Sequence, residues 1–263
     1  MGFLKMEGKS FLITGVANKK SVAFHVAKTL IENGAEVFFS VQNEPNYEKV
    51  EKLFPNNKIF ICDVENEDSI EKLREELGEK TLSGFLHSIA FANYSEGIKP
   101  FHETNVKDYL QATNISCFSL VALANGLKKN LAEDASVVTI SISNTKATSY
   151  GYMGPIKASL DATVPFLAKS FSDFSRIRFN AVCAGPLKTS ASAGIPGYIN
   201  NYIYSEQLML RKKALHTSEV ADTVAFLLSS RSSGINGERI VVDGGMSCNY
   251  FDQKVVNLLA DHI

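Results

Sequence analysis

The chain has no uninterrupted apolar stretch approaching the roughly 18 residues that mark a membrane helix, so no membrane insertion is expected. Its N-terminus, MGFLKMEGK, lacks the apolar centre of a secretion signal, and a cytoplasmic location is expected. No basic run exceeds RKK at 211–213 and the formal net charge is −1, which argues against nucleic acid as a partner. Cys62, Cys117, Cys183 and Cys248 are far apart, with no C-x-x-C and no neighbouring histidine. That spacing points away from disulfides and metal, and towards small buried thiols in a reducing compartment. Internal repeats, low-complexity segments and linkers are absent. With 263 residues and 45% hydrophobic composition the chain can bury one substantial core, and a single domain over 1–263 is expected.

What is present is regular alternation. Short apolar runs near 10–15, 36–40, 58–62, 83–88, 136–142, 177–184 and 238–242 are separated by helical patterns, the longest near 107–129 and 149–172. This order predicts an α/β fold with a parallel sheet covered on both faces.

The first of these runs, GKSFLITGV, ends at Gly15, and ANKK leads into SVAFHVAKTLIENGAE. Val22, Val26, Ala27 and Leu30 have the spacing of an amphipathic helix, Ser21 fits an N-cap, and Gly34 fits its stop. A helix whose N-terminus faces a turn offers free N–H groups and a positive dipole end to a phosphate. The three glycines of G-x-G-x-x-G are missing here.

Tyr150 and Lys157 stand seven residues apart in SYGYMGPIKASLDATVPFLA. On one helix that is almost two turns, placing both on the same face roughly 10 Å apart. A phenol is a weak acid at neutral pH and a nearby ammonium favours its anion, so the pair suits a reaction that builds negative charge on a substrate oxygen.

Together the segments resemble the short-chain dehydrogenase/reductase family and, within it, the enoyl-acyl-carrier-protein reductases. The matching stretches are LITGVANKKSVA, FFSVQNE, CDVENEDSI, GFLHSIAFA, MGPIKASLDA, FNAVCAGPLKTSASAGI and ERIVVDGGMS, in this order from about Gly8 to Ser247. The resemblance implies a single Rossmann-type, doubly wound parallel sheet of about seven strands, with the cofactor across the carboxyl ends of its strands. It also implies a compact homotetramer, to which the apolar run VVNLLA near the C-terminus would contribute.

By the same resemblance the cofactor is expected against Gly15, Ala17, Ser21 and Val22 at the first turn, and against Ser88, Ile89 and Ala90 after the fourth strand. Gly185, Leu187 and Thr189 follow the sixth strand; in relatives the backbone at the Leu187 position binds the carboxamide and the Thr189 hydroxyl meets pyrophosphate. Asp63 is expected at the adenine amino group with Val64 beside the ring, the lesser alternative for Asp63 being the N-cap of a helix beginning near Glu67. The second strand runs into Gln42, Asn43 and Glu44, with no cation before Lys49. Gln42 can bond ribose hydroxyls and Glu44 would repel a 2′-phosphate, so NADH is expected over NADPH. His87, leading out of an apolar run, reads as a packed core histidine rather than a catalyst.

Substrate contacts are expected from Ala92, Tyr150, Ala191, Ile195 and Tyr198, the last three in a lid near 189–210 that carries no lysine or arginine. Tyr150 would hold the developing enolate, and Lys157 would bind the cofactor ribose and keep the potential positive. The implied reaction is NADH-dependent reduction of the trans-2 double bond of an enoyl thioester in fatty-acid elongation, the thioester carried on acyl carrier protein. The uncharged lid keeps a coenzyme A thioester open as the rival.

Two departures from the pattern lie beside the reacting oxygen. Ile142 stands where such reductases carry a second tyrosine, with Ser141 and Ser143 flanking it, and Pro155 falls between Tyr150 and Lys157, where it removes an N–H and kinks the first turns unless the helix proper starts near Met153. Ile142 leaves open a carbonyl or enone reductase acting on a non-fatty substrate. A non-catalytic NAD-sensing protein is the third reading, disfavoured by the intact Tyr150 and Lys157.

Overall fold

Seven strands form one all-parallel sheet: β1 (Ser10–Thr14), β2 (Glu36–Val41), β3 (Ile59–Ile61), β4 (Leu82–His87), β5 (Leu131–Ile142), β6 (Arg178–Ala184) and β7 (Arg239–Val242). The computed structural model describes residues 2–97, 99–195 and 197–260. The spatial order is β3-β2-β1-β4-β5-β6-β7, so the winding direction reverses between β1 and β4. A doubly wound sheet binds ligands at that switch point, outside the carboxyl ends of the strands.

The helices are α1 (Val22–Glu32), α2 (Glu44–Leu53), α3 (Glu67–Leu77), α4 (Val106–Thr113), α5 (Ser119–Leu127), α6 (Met153–Ser172), the short α7 (Ser190–Ala193), α8 (Tyr198–Leu208), α9 (Thr217–Leu228) and α10 (Gln253–Ala260). Alternation along each strand feeds two cores. Leu12, Phe85, Val137 and Phe179 pack on one face with Leu73, Leu123 and Leu160 of α3, α5 and α6. Phe11, Ile13, Phe39, Val138 and Val182 pack on the other with Val26 of α1 and Val224 of α9. Strands buried on both faces read as continuous apolar runs, which is why those of β1, β2, β4 and β6 were visible as such.

Three local features differ from the sequence expectation. β5 begins at Leu131, five residues before Ser136, because Leu131 pairs with Leu82 and the register then shifts before Gly84 meets Ser136. The exposed Glu133 and Asp134 sit in that irregular stretch and disguise it as loop. The helix expected over 107–129 is interrupted by a π-helical turn at Asn114–Phe118 between α4 and α5. The helix expected from 149 starts only at Met153, which places Pro155 in the first turn, where its missing N–H costs no intrahelical bond.

Arg178, buried at the start of β6, ties the end of α9 to the sheet. Its guanidinium donates to the carbonyls of Leu227, Ser229, Ser232 and Ile235 at 2.8–3.2 Å. Burial depresses its pKa, and hydrogen bonds to four carbonyls are what make a buried guanidinium tolerable.

Candidate active site

Beyond the carboxyl ends of β1, β4, β5 and β6 lies a cavity of about 420 Å³. Its first wall is the β1–α1 turn, where Gly15 has φ +80° and a Cβ built on it would lie 1.9 Å from the Ser88 carbonyl oxygen. Glycine is therefore demanded by the close approach of this turn to the end of β4. Thr14 fixes that approach: its hydroxyl donates to the Leu86 carbonyl at 2.9 Å and accepts the Ser88 N–H at 3.1 Å.

Ser21 occupies the N-cap position of α1 but does not cap it. Its hydroxyl donates to the Asn18 carbonyl at 2.7 Å, and among the described residues no side chain caps the first-turn N–H groups. Those groups, at the positive end of the helix, fit an anion. Gly15, Ala17, Ser21 and Val22 all line the cavity, as do Ser88, Ile89 and Ala90 and, past β6, Gly185, Leu187 and Thr189.

Tyr150 and Lys157 line the same cavity, but not from one helix. Tyr150 ends a 3-10 turn, Thr148–Tyr150, and Gly151 with φ +60° separates it from α6. The two-turn geometry expected from their spacing is thus replaced by a turn followed by a helix. Burial pushes the Tyr150 phenol up from its ordinary value, so the expected drop in its pKa next to an ammonium is not met. A neutral phenol remains a donor. Lys157 is buried, and its Nζ donates to the Ile140 carbonyl at 2.9 Å. Desolvation brings its pKa down to about 8, with the Asp161 carboxylate one turn further along α6 acting in the opposite sense. Asp161 is itself held by Arg239 Nε at 2.6 Å.

Ile142 lines the cavity beside these groups, as the departure from the tyrosine pattern requires. Of its two neighbours, Ser143 donates its N–H to the Ala184 carbonyl at 2.8 Å, whereas the Ser141 hydroxyl is fully enclosed and has no hydrogen-bond partner. An uncapped helix N-terminus facing the cavity is a feature that a phosphate-bearing ligand would satisfy. The residues present therefore fit a dinucleotide.

Other expected residues fall outside the enclosed space. Gln42 is exposed just beyond β2, and Asp63 and Val64 follow β3, on the same carboxyl edge but not on the cavity wall. Asp63 is not an N-cap: Asn66 caps α3 by accepting the Asp68 N–H, while Asp63 accepts the Glu65 N–H at 3.2 Å. Asn43 is committed to capping α2. Ala92 packs against the core and Ile195 is half-buried, neither on the wall. The side chain of Ala191 lies outside the described part. Tyr198 does reach the cavity, through a double hydrogen bond to Leu187.

His87 is wholly buried and pairs on both sides, with Thr139 at Nδ1 and Ser119 at Nε2, each at 2.8 Å. The Ser119 hydroxyl donates to the Ile115 carbonyl at 2.6 Å, so Nε2 must carry the imidazole proton and Thr139 must donate to Nδ1. Burial lowers its pKa to about 3, and it is a core histidine as expected. Three of the four cysteines are buried, but Cys248 is exposed, against expectation.

Sequence reasoning missed the Ile140 carbonyl, the choice of Ser141 over Ser143, and Met246 and Leu208 on the far wall. Only the pairing of β5, VVTISI, with β6 separates the two serines, and that is a register property.

The family profile described as Enoyl-(Acyl carrier protein) reductase matches residues 15–247. The chain is 36% identical to the enoyl-[acyl-carrier-protein] reductase [NADPH] of Staphylococcus aureus over 92% of its length and 98% of that protein. To the corresponding [NADH] enzyme of Bacillus subtilis it is 35% identical over 91% and 96%. The crystal structure of enoyl-[acyl-carrier-protein] reductase (NADH) from Aquifex aeolicus superposes with a TM-score of 0.87 at 32% identity, covering 92% of this chain and 97% of that one. With cavity, switch point and Tyr150–Lys157 pair all at the carboxyl edge of a seven-stranded sheet, the chain belongs to the enoyl-(acyl carrier protein) reductase family.

Proposed function

We propose that the chain reduces the trans-2 double bond of an enoyl thioester with NADH, in fatty-acid elongation. The observation that carries this reading is the convergence of a neutral phenol, Tyr150, and a buried ammonium, Lys157, on one cavity whose other end is the uncapped N-terminus of α1. When bound, the nicotinamide supplies a hydride to the β-carbon of the substrate. Tyr150 then donates a hydrogen bond to the thioester oxygen as negative charge develops there. Donors preorganised toward developing charge are usually the largest catalytic contribution, about 2.7–4 kcal/mol each. Lys157, oriented by the Ile140 carbonyl, holds ribose hydroxyls and keeps the local potential positive. The first turn of α1 takes the pyrophosphate, and Gln42 and Asp63 lie along the edge where the adenosine half would extend.

NADH is favoured because Gln42, Asn43 and Glu44 are exposed at the end of β2 with no cation among them, although relatives of both cofactor names exist. The lid over 189–210 includes α8, which carries Glu206 and no cation. Acyl carrier protein is the expected carrier by family. Among the described residues no helix is long and apolar enough to cross a membrane; a cytoplasmic homotetramer is the expectation by family.

A panel of 2-enoyl thioesters of increasing length, on acyl carrier protein and on coenzyme A, followed by loss of NADH absorbance beside simple ketones and enones, tests this. Turnover of enoyl thioesters is expected. Turnover confined to ketones, which Ile142 on the cavity wall would favour, sinks the assignment, and NADH binding without any turnover leaves the sensor.

A further inference from the structure

The Tyr198 hydroxyl makes two hydrogen bonds to one backbone residue. It accepts the Leu187 N–H at 2.8 Å and donates to the Leu187 carbonyl at 2.9 Å. Leu187 stands just past β6 on the cavity wall, on the opposite side of the switch point from the uncapped first turn of α1. A ligand anchored by its phosphates at α1 and lying across the strand ends would bring its far end to Leu187. A residue presenting its N–H and C=O together offers a donor and an acceptor side by side. The small group complementary to that pair is a primary carboxamide, whose oxygen accepts and whose nitrogen donates. A phenol hydroxyl reproduces both functions with a single atom, provided it keeps its proton.

Burial ensures that it does, pushing the Tyr198 phenol up to about 12. The hydroxyl is also well placed mechanically. Tyr198 is the first residue of α8, and one turn further Tyr202 is buried with the Lys188 ammonium 4.5 Å from its ring centre. The helix is thereby docked at two successive turns. Releasing Tyr198 leaves the Leu187 carbonyl still accepting the Thr189 N–H at 3.2 Å, so the loop past β6 is not stranded when the phenol departs.

We propose that Tyr198 is an internal stand-in for the carboxamide of the nicotinamide: it occupies the Leu187 N–H and C=O in the free protein and must be displaced when the cofactor binds. Cofactor binding thus unlatches the first turn of α8, the helix that contributes Tyr204 and Leu208 to the cavity wall. This rests on the dinucleotide reading above.

NADH and ADP-ribose, which lacks the nicotinamide, are titrated calorimetrically against the native protein and the Tyr198→Phe variant. Phenylalanine fills the same space and can make neither bond. NADH should bind the variant about tenfold more tightly, two modest hydrogen bonds no longer having to be surrendered, while ADP-ribose affinity stays within about twofold. Tyr198→Leu should show the same split, and amide exchange at Leu187 should quicken in both variants without ligand. Unchanged or weaker NADH binding overturns the proposal. Equal tightening of both ligands overturns it too, because the tyrosine would then restrain the lid in general rather than compete with the carboxamide. Failure of ADP-ribose and NADH to bind the native protein would refute the dinucleotide reading itself, whereas ADP-ribose binding establishes that reading independently of Tyr198.

Discussion

Lys157 is fastened to Ile140: the ammonium donates to that carbonyl at 2.9 Å, which aims the charge of α6 at the carboxyl end of β5. Besides burial, the neighbours coupled to its titration come from several elements, with Asp161 on α6, Cys117 in the π turn, Cys183 on β6 and His87 on β4. With its pKa brought from 10.5 to about 8, Lys157 loses its charge as pH rises through about 8. NADH affinity and turnover should therefore fall together above that pH. Stability responds in the opposite sense. Between about 8 and 10.5 the unfolded chain holds a proton that the folded chain lacks, so the contribution of this group to stability rises with pH across that window. A pH series of NADH titrations checks the first sign and urea melts check the second. Lys157→Ala should weaken cofactor binding and turnover and abolish the inflection near 8.

Tyr150→Phe should lower turnover by about a hundredfold to a thousandfold while leaving NADH affinity nearly unchanged, because the hydroxyl serves the substrate. Steady-state rates and a cofactor titration separate the two effects. If the variant keeps full activity, the oxygen is held by another group, and Tyr150→Phe combined in turn with Ser141→Ala and Ser143→Ala tests the two serines that flank Ile142 on the same wall.

NADH should bind more tightly than NADPH at one ionic strength. Glu44 opens α2 with its carboxylate exposed, and a 2′-phosphate near it would meet like charge. Equal affinities would mean that a cation such as Lys19 or Lys20 in the first turn reaches the phosphate. A further loss of preference in Glu44→Gln would support the repulsion directly.

Arg178→Met keeps most of the buried stem but removes one donor from each of four carbonyls, which keep other donors from Ser136, Asn180, Ser232 and Ile235. Hydrogen bonds from a charged donor contribute about 1.5–3 kcal/mol each, and with the carbonyls still partnered a net loss of about 2–4 kcal/mol is expected in a denaturant melt. Arg178→Lys should recover only part, because one ammonium cannot span the carbonyls that a guanidinium fork reaches.

The strands were legible because runs such as SFLIT and RFNAVCA are buried on both faces and cannot be mistaken for amphipathic helix. The first turn was legible for a different reason: Gly15 is forced by the Ser88 carbonyl, a contact that any residue with a Cβ would break. What escaped was set by contacts distant in sequence. Pro155 was one local sign that the pair does not share a helix and Gly151 another, and the positive φ of Gly151 makes that break. No spacing announces the π turn at Asn114–Phe118, nor that Ser141 rather than Ser143 is enclosed, since sheet pairing decides the latter. The contact between Tyr198 and Leu187 depends on how the chain returns over the strand ends, and neither residue's immediate neighbours encode it.

The fixed polarity around His87 gives the protein a built-in clock for local opening. Because Ser119 sends its proton to Ile115, the imidazole Nε2 proton has one place to be, between β4 and the start of α5, and no ordinary acidity frees it. That proton can exchange with solvent only when the π turn and α5 lift away from the sheet. Its resonance, followed after transfer to deuterated solvent, would time that lifting from beneath the cofactor floor, a motion that neither turnover nor ligand titration would register.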